Sequence, residues 1–497
     1  MNSHFNAADW LVIVAYLGGI IALGLWFGRD QRTVRDYFLG SKNTPWWGIG
    51  LSIVAAETSA LTIIGVPAIA YGGDLAFIQM ILGYVIARLI LAVVMVPRYL
   101  QGEIYSPYQL FSDRLGLSAR RTAGGFFLLS ETLAAGVRVY VVSIPIQLML
   151  GVGVMPAILL FVGLSLIYTF FGGVKAVIWT DAVQFGLFLL GGLFTLCYIP
   201  TLVDGGLSGL LKTAADAGKA HWFNPQFSWH EPFNLWMGIV GGTVQVLSSH
   251  GAEQLIVQRV LACRDVAAGR KALVLSAVMI FPLFLIFLLV GLMLWVFYQN
   301  HPFQIVLPEA RPGIKANDFI YPIFMITEVP HVLRGFLIVA ILSAAMSSVS
   351  SALTALASVS TMDFLRGAGG GRSERFYLKF SQWSTVGWAV LLVVVAYLSR
   401  EVAFVVNAAF TLRGLTSGAL LGGLFLAVFG KTIRAPAVIA GMFASLAVMI
   451  CVSQFSWNEN VAGRIVTQKI FWPWFTMIGA AVTLGVARIL NFLGKPG

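Results

Sequence analysis

The chain contains few charged residues and few cysteines for its length. Only 11% of its 497 residues are Asp, Glu, Lys or Arg, whereas 58% are hydrophobic and the mean hydropathy is +0.86. A soluble globular protein of this length is not expected to have such a composition, so we infer a polytopic membrane protein. Cys197, Cys263 and Cys451 lie far apart without metal-site or redox spacing, which argues against a disulfide framework.

The net charge of +11 does not indicate a nucleic-acid partner, because the basic residues are spread over many short loops instead of forming one patch. If the N-terminus lies outside, 21 of the 32 Lys and Arg residues fall in cytoplasmic loops and 8 in the opposite loops. This bias predicts that the N-terminus lies outside and the C-terminus in the cytoplasm. We expect the protein to be integral to the bacterial cytoplasmic (inner) membrane.

Thirteen apolar runs are long enough to cross the ~30 Å of hydrocarbon in a bilayer. The sequence therefore predicts an all-α polytopic fold of about 13 transmembrane helices. The predicted spans are 8–28, 46–72, 77–97, 123–150, 155–171, 179–199, 235–255, 270–298, 335–362, 378–399, 402–428, 434–455 and 468–490.

Two groups of five spans each begin with a helix that contains polar residues and helix breakers. The first reads AAETSALT at 55–62, followed by Gly65 and Pro67, and the second has GGT at 241–243 and SSHGAEQ at 248–254. Interrupted helices at corresponding positions of two halves indicate a transport site near the bilayer midplane. Because five is odd, the two repeats must be inverted.

The predicted organisation has five parts. A first transmembrane helix with its cytoplasmic loop occupies 1–45, a five-helix repeat occupies 46–200, and an extracellular or periplasmic loop occupies 201–234. The inverted five-helix repeat follows at 235–428, and two C-terminal helices with a short cytoplasmic tail occupy 429–497.

The run AAMSSVSS at 344–351 places hydroxyl groups in the middle of an apolar span. On a helix, Ala344, Ser347, Ser348 and Ser351 share one face. That face could offer oxygen atoms to a hard cation. Alternatively, the small residues could allow close helix packing, with each serine bonded to the preceding turn.

Several ionisable residues lie within predicted spans, where an unpaired charge is costly. Glu57 needs a partner, which could be Arg138, Arg88 or a cationic group on a substrate, while Arg138 could instead hold a substrate carboxylate. Asp181 either caps its helix or coordinates sodium together with the serine face. His250 either bonds a neighbouring helix or contacts a ligand.

Five separated motifs occur in an order that resembles the solute:sodium symporter family, which includes sodium-coupled galactose, proline and sialic acid transporters. They are DYFLG at 36–40, GG at 172–173 with WTD at 179–181, VQR at 257–259, AAMSSVSS at 344–351 with TMD at 361–363, and GALLG at 418–422. The resemblance implies the leucine-transporter-type fold, an inverted five-helix repeat with one helix before it and two after it.

The same resemblance implies sodium as the coupling ion, with one or two ions per cycle. A principal site would use the carbonyls of Ala55, Thr58 and Ala344 and the hydroxyls of Ser347 and Ser348. The sialic acid branch implies a second sodium site, whose ligands correspond to Asp181, Ser347, Ser350 and Ser351.

The implied substrate pocket combines acidic, basic and hydroxyl side chains. Arg138 matches an arginine of the sialic acid branch, but Glu57 stands where that branch has a neutral hydroxyl. The solute is therefore expected to be a small organic acid, such as a sialic acid-like compound, or a zwitterion, with a sugar as the alternative. The candidate substrate-binding residues are Glu57, Ser59, Thr62, Gln79, Arg138, His250 and Glu253.

The expected mechanism is alternating access by a monomer in the lipid bilayer, with sodium and a small solute as its partners. A channel on the same fold would be expected to show a repeated filter motif, and a sensor would be expected to carry a signalling domain. An enzyme would need a nucleophile and base or a metal cluster, and the single histidine predicted within a span does not provide one. We therefore predict a transporter with no enzymatic activity.

Overall fold

The computed structural model describes residues 5–29, 31–307, 309–311, 314–315, 317–368, 371–401, 405–461 and 464–493. Among these residues, nine helices are long and apolar enough to cross a membrane, or ten if a bent pair within 46–72 forms one span. The polytopic, all-helical prediction is confirmed.

The helices of the first half are α1 Ala7–Gly28, α2 Val34–Leu39, α3 Trp46–Glu57, α4 Ala60–Gly72, α5 Ile78–Val94, α6 Val96–Leu100, α7 Gln109–Leu150, α8 Val154–Tyr198 and α9 Gly206–Asp216. Those of the second half are α10 Thr243–Gly251, α11 Gln254–Leu261, α12 Val266–Asn300, α13 Ile320–Thr327, α14 Leu333–Val359, α15 Glu374–Leu398, α16 Val405–Phe429, α17 Ala435–Gln454 and α18 Phe475–Leu493.

Two small antiparallel strand pairs lie in the connections between helices. Strands β1 Glu309–Arg311 and β2 Ile314–Lys315 form one pair, and β3 Ser456–Val461 and β4 Arg464–Lys469 form the other. In the second pair, Ser456 is opposite Lys469 and Val461 is opposite Arg464. This hairpin leads through a short 3₁₀ turn, Trp472–Trp474, into the last helix.

Within the described residues, each of the thirteen predicted spans falls on helix, but several boundaries differ. The fifth and sixth predicted spans lie on either side of a kink in α8 at Gly173, where φ is +53° and ψ is −159°, so they are two helices. Residues 468–469 of the last span lie in β4 instead of in the helix. Residues 402–404 of the eleventh span lie outside the described residues. The division of the chain into two repeats at 46–200 and 235–428 remains a prediction.

Both predicted helix breaks are confirmed. Between α3 and α4 the chain bends by 55°, and Thr58 has an extended backbone, with φ −82° and ψ 94°. Between α10 and α11, Glu253 is extended, with φ −101° and ψ 132°. The last four carbonyls of a helix have no partner within the helix, so each break exposes acceptors inside the bundle. Tyr99 donates its hydroxyl hydrogen to one of them, the carbonyl of Gly251.

The serine-rich helix α14 lies at the centre of the bundle, where it packs against α1, α3, α4, α7 and α8. Its residues from Leu337 to Val359 are all buried. The serine face therefore contacts the first broken helix and α8, not lipid. This placement brings Ser347 beside Asp181, with the Ser347 hydroxyl 2.6 Å from Asp181 Oδ1, and packs α14 against α3.

Helix α12 approaches the first broken helix closely at Gly291. A Cβ atom at this position would lie 2.2 Å from the carbonyl oxygen of Pro67 in α4. Only a residue without a side chain fits there, so Gly291 sets how closely α4 packs on α12.

We expect Gly291→Ala to destabilise the protein by about 1–3 kcal/mol, because the added methyl group overpacks a backbone contact. The matched control is Gly186→Ala in α8, where a Cβ atom would meet nothing within 4 Å. Thermal unfolding in detergent should give a lower midpoint for Gly291→Ala and an unchanged or higher one for Gly186→Ala. Equal midpoints for the two variants would contradict this account of the α4 and α12 contact.

Candidate functional site

A cavity of about 70 Å³, counted as space open to the centre of a water molecule, lies between the two broken helices. Its aromatic wall comes from Phe77, Tyr84, Phe284 and Trp472. Its polar lining comes from α3, α4, α10, α16, α18 and the second break, and consists of Glu57, Thr62, Gln245, Ser249, His250, Glu253, Arg413, Ser417 and Thr476.

Glu57, the last residue of α3, is paired with Arg88 of α5. The Arg88 side chain is fully buried and also donates to the carbonyl of Tyr84 at 2.9 Å. His250 lies on the other side of the carboxylate, with its Nε2 atom 3.6 Å from Glu57 Oε2. Of the partners considered for Glu57, the structure therefore selects Arg88, supported by His250, and not Arg138.

His250 is held by its neighbour on α10. Its Nδ1 atom lies 2.8 Å from the hydroxyl of Ser249. Its Nε2 atom is buried without a hydrogen-bond partner among the described residues and lies in the wall of the cavity. The ring is thus positioned through Nδ1, while Nε2 faces the Glu57 carboxylate at 3.6 Å, beyond hydrogen-bond distance.

Glu253 lies at the second break and forms an ion pair with Arg413 of α16. Arg413 Nε lies 3.2 Å from Oε1 and 3.0 Å from Oε2, and its Nη2 also contacts Oε2. Both residues line the cavity. A bidentate arginine and carboxylate contact of this kind fixes both position and orientation.

Arg138, Ser59 and Ser348 lie outside the main cavity. Arg138 is paired with Glu131, two turns earlier in α7. It lines a separate cavity of about 10 Å³ together with Ser59 and Ser348. The structure therefore brings Ser59 and Arg138 together but separates them from Glu57 and Glu253.

Gln79 does not reach either cavity. Its Nε2 atom donates to the carbonyl of Phe233 at 2.8 Å, and its Oε1 atom accepts from the backbone N–H of Asn224 at 3.1 Å. These bonds anchor the loop that follows α9. Of the seven predicted pocket residues, Glu57, Thr62, His250 and Glu253 line the main cavity.

The serine hydroxyls at 347–351 of α14 donate to two kinds of acceptor, a carboxylate on α8 and backbone carbonyls of α14 itself. Ser347 donates to Asp181 Oδ1 at 2.6 Å, and Ser348 donates to the carbonyl of Ala344 at 3.0 Å. Ser350 and Ser351 donate to the carbonyl of Ser347 at 3.1 and 2.6 Å. Hydroxyl oxygens that donate to a carbonyl still have lone pairs, so this arrangement leaves acceptor capacity on the serine face.

Asp181 of α8 is completely buried and has a cationic neighbour that the sequence did not reveal. Its Oδ2 atom accepts from Arg259 at 2.7 Å and from Ser52 at 2.6 Å. Arg259 also donates to Ser52 at 2.8 Å and contacts the hydroxyl of Ser351. The guanidinium group therefore lies among the residues predicted to bind a second sodium ion.

The sequence analysis did not identify the cavity residues Gln245, Ser417, Trp472 and Thr476, whereas Arg413, within a predicted span, could be expected either to line the cavity or to have a structural partner. Ser417 and Thr476 contact each other, with their hydroxyl oxygens 2.7 Å apart. Trp472 and Thr476 belong to the last helical segment, which lies outside the two predicted repeats. The predicted inverted repeat therefore gives no reason to expect this segment at the cavity.

The principal sodium site at Ala55, Thr58, Ala344, Ser347 and Ser348 remains a prediction. Thr58 interrupts the helical hydrogen-bond ladder and has a buried Oγ1 atom with no partner among the described residues. The site would combine oxygen atoms from the first break with those of Ala344, Ser347 and Ser348 across the contact between α3 and α14. Oxygen donors of this kind suit a hard cation.

Comparison with known proteins gives consistent relatives along nearly the whole chain. The sodium/sialic acid symporter SiaT of Proteus mirabilis is 29% identical over 462 residues, covering 90% of both chains. The sodium/sialic acid symporter NanT of Aliivibrio fischeri is 27% identical and covers 90% of this chain and 88% of its own. The human sodium/iodide cotransporter is 27% identical and matches over 90% of this chain and 70% of its own.

Two solved transporter structures are similar to this chain in fold. A sodium-coupled sialic acid symporter in a substrate-bound, outward-open state superposes with a TM-score of 0.86 and 25% identity over 99% of both chains. The nucleobase-cation symporter Mhp1 in a closed conformation has a TM-score of 0.59 at 13% identity, over 92% of this chain and 94% of its own, which is a likeness of fold alone. The predicted leucine-transporter-type fold is confirmed.

The sodium:solute symporter family model matches residues 37–452. That range includes both broken helices, the serine face of α14 and Arg413. The chain therefore belongs to the sodium:solute symporter family and is a sodium-coupled membrane transporter, not an enzyme.

Proposed function

We propose that the chain imports a small zwitterion with sodium across the bacterial cytoplasmic membrane, by alternating access. The observation that carries this proposal is the charge balance of the main cavity, in which Glu57 is paired with Arg88 and Glu253 with Arg413. A solute with a single negative charge would meet two carboxylates there. A zwitterion can offer its cationic group to a carboxylate and its anionic group to Arg413 without leaving either charge unpaired.

The cavity supplies further contacts for such a solute. His250 Nε2 and Gln245 Oε1 are buried polar atoms without hydrogen-bond partners among the described residues. Both side chains line the cavity, together with the aromatic rings of Phe77 and Trp472. A small solute with polar groups and some apolar surface would satisfy these atoms and cover the rings.

An acidic sugar of the sialic acid type is the second candidate. Arg138 shares its small cavity with Ser59 and Ser348, and two relatives are sodium/sialic acid symporters. For a substrate carboxylate to bind Arg138, Glu131 would have to release it. The two candidates therefore use different arginines, Arg413 for the zwitterion and Arg138 for the acid.

Sodium binds, in this proposal, between the first break and α14, to the carbonyls of Ala55, Thr58 and Ala344 and the hydroxyls of Ser347 and Ser348. Ser348 also lines the cavity of Arg138. A sodium ion there would hold the first broken helix against α14 and so favour the conformation that binds solute. Coupling then follows because the ion and the solute stabilise the same helix arrangement.

A second sodium ion at Asp181, Ser347, Ser350 and Ser351 requires a rearrangement. Arg259 neutralises Asp181 at 2.7 Å, and both side chains are buried. An additional cation would be repelled unless Arg259 moved away. We therefore propose that this site fills only in a conformation in which Asp181 has released Arg259.

The proposed orientation places the N-terminus outside and the C-terminus in the cytoplasm, following the distribution of Lys and Arg residues. The proposed working unit is a monomer surrounded by lipid.

The experiment that tests the proposed function is a thermal-shift screen of purified protein against amino acids, betaines, organic acids, sialic acids and sugars. Each compound is measured in sodium and in potassium, since a ligand stabilises the state that it binds. A zwitterion that raises the melting temperature in sodium only supports the proposal. A sialic acid hit favours the second candidate, and the absence of a sodium shift for every compound contradicts coupling at the proposed sites.

Paired charge-neutral variants should distinguish the two candidates. Glu253→Gln with Arg413→Gln removes the main-cavity pair without leaving an unpaired buried charge, and we expect it to weaken zwitterion binding by roughly tenfold or more. Glu131→Gln with Arg138→Gln is the matched control and should leave zwitterion affinity unchanged. Affinities are measured by solute titration in the thermal-shift assay. Weakened binding only in the control pair would assign the solute to Arg138.

Ser348→Ala should raise the sodium concentration for half-maximal uptake by about tenfold, because a bond between a hydroxyl and a charged group contributes about 1.5–3 kcal/mol. Ser343→Ala on the same helix is the control, since its hydroxyl bonds to Tyr16 and to the carbonyl of Val339. Sodium-dependent uptake in proteoliposomes measures both. Equal sodium dependence in the two variants would remove Ser348 from the site.

Asp181→Asn should lower the sodium-to-solute ratio from two to one if the second site exists, because the ligand that carries the negative charge is lost. Each ion crossing 100 mV contributes ~2.3 kcal/mol, so the variant should also accumulate roughly fiftyfold less solute. The ratio is measured from reversal potentials in proteoliposomes. Asp363→Asn, another buried carboxylate paired with an arginine, Arg120, at 2.7 Å, serves as the control. An unchanged ratio in Asp181→Asn assigns Asp181 a structural role.

A further inference from the structure

A groove of about 580 Å³ lies at the end of α16, between α16 and α17, and along the last turns of α18. None of its lining residues lines the solute cavity. Its walls combine two basic side chains, Lys431 and Arg488, with the rings of Phe425, Phe429 and Phe492.

The groove is positively charged. Within the part of the chain that the structure describes, neither Lys431 nor Arg488 has an acidic partner within 4 Å, whereas Arg35, Arg120 and Arg366 each form an ion pair. None of the residues that line the groove is acidic. From residue 405 onward the sequence contains a single acidic residue, Glu459, which lies in β3 beyond the opposite end of α17.

Polar contacts hold the rim of the groove in place. Asn491 of α18 accepts from the backbone N–H of Arg434 at 3.0 Å and donates to the carbonyl of Thr432 at 3.1 Å. These bonds tie the connection between α16 and α17 to the last helix. The groove is therefore formed by the fold and does not depend on the rotamer of one surface side chain.

Two further cations lie behind the same wall. Arg114 donates to the carbonyl of Val428 at 3.0 Å, near the end of α16. The guanidinium carbon of Arg98 lies 4.7 Å from the centre of the Phe429 ring. Both increase the positive potential around Lys431 and Arg488 and so favour an anionic occupant.

The groove also has an apolar side that would face lipid. Phe429 is 46% exposed, Phe492 is 76% exposed, and Ile489, one residue from Arg488, is 60% exposed. A soluble anion would leave this surface uncovered. An occupant that matches both features has a negatively charged head and long apolar chains.

We propose that the groove binds one anionic phospholipid, with its phosphate between Lys431 and Arg488 and its acyl chains along Phe429 and Phe492. The proposed orientation places these residues on the cytoplasmic side, where anionic lipids meet basic clusters of membrane proteins. The site is independent of the identity of the solute and of the number of sodium ions.

The test uses the full chain, purified in a mild detergent and stripped of lipid, with thermal unfolding followed as phosphatidylglycerol is added. We expect phosphatidylglycerol to raise the melting temperature and phosphatidylcholine to have little effect. Lys431→Gln with Arg488→Gln should weaken the apparent phosphatidylglycerol affinity by ~30-fold, since each basic residue near an anionic surface contributes about fivefold.

The matched control is Arg375→Gln with Lys379→Gln, which removes the same charge from exposed positions of α15 outside the groove. It should keep the wild-type phosphatidylglycerol affinity. Equal weakening in both double variants would reveal general charge attraction and overturn the proposal. A comparable shift with inorganic phosphate alone would also overturn it, because the acyl chains would then contribute nothing.

Discussion

The cost of an unpaired charge in a membrane interior governs this structure. Burying an ion costs several kcal/mol even after relaxation, so a carboxylate inside the bundle must have a partner. Within the described residues, buried pairs of an acidic residue and an arginine include Glu57 with Arg88, Glu131 with Arg138, Asp181 with Arg259, and Glu253 with Arg413. Three of these pairs join different helical segments, and two of those three lie at the helix breaks. Glu57 and Glu253 are costly to bury at the breaks, but their ion pairs with Arg88 and Arg413 also hold the broken helices against neighbouring helices.

Such pairs are well suited to a transporter because their partners can be exchanged. A buried pair contributes little net stability, but removing one partner is strongly destabilising. A solute or an ion that supplies the missing charge can therefore replace an internal partner without leaving a carboxylate exposed to hydrocarbon. In this family member, the pair formed by Glu253 and Arg413 lines the main cavity, and the pair formed by Asp181 and Arg259 lies beside the serine face. Both are placed where binding could shift the helix arrangement.

The fold could be predicted from the sequence because hydropathy and helix breakers act locally. The extended residues Thr58 and Glu253 fall within the polar runs that indicated the breaks. The partner of Glu57 could not be predicted, since Arg88 and Arg138 both lie within spans and only packing selects Arg88. The direction of the Gln79 side chain and the contribution of α18 to the cavity depend on contacts between distant segments. Local patterns carry no information about them.

The serine face shows how the two predicted sodium sites depend on each other. Ser347 belongs to both, and its hydroxyl donates to Asp181 Oδ1 at 2.6 Å. A hydroxyl that donates to a carboxylate becomes a stronger acceptor through its lone pairs. Asp181 can therefore strengthen the proposed principal site even while Arg259 occupies its other oxygen atom. A cycle with one sodium ion thus uses Asp181 as a positioning residue, and a cycle with two uses it as a ligand, so the position of Arg259 decides between them.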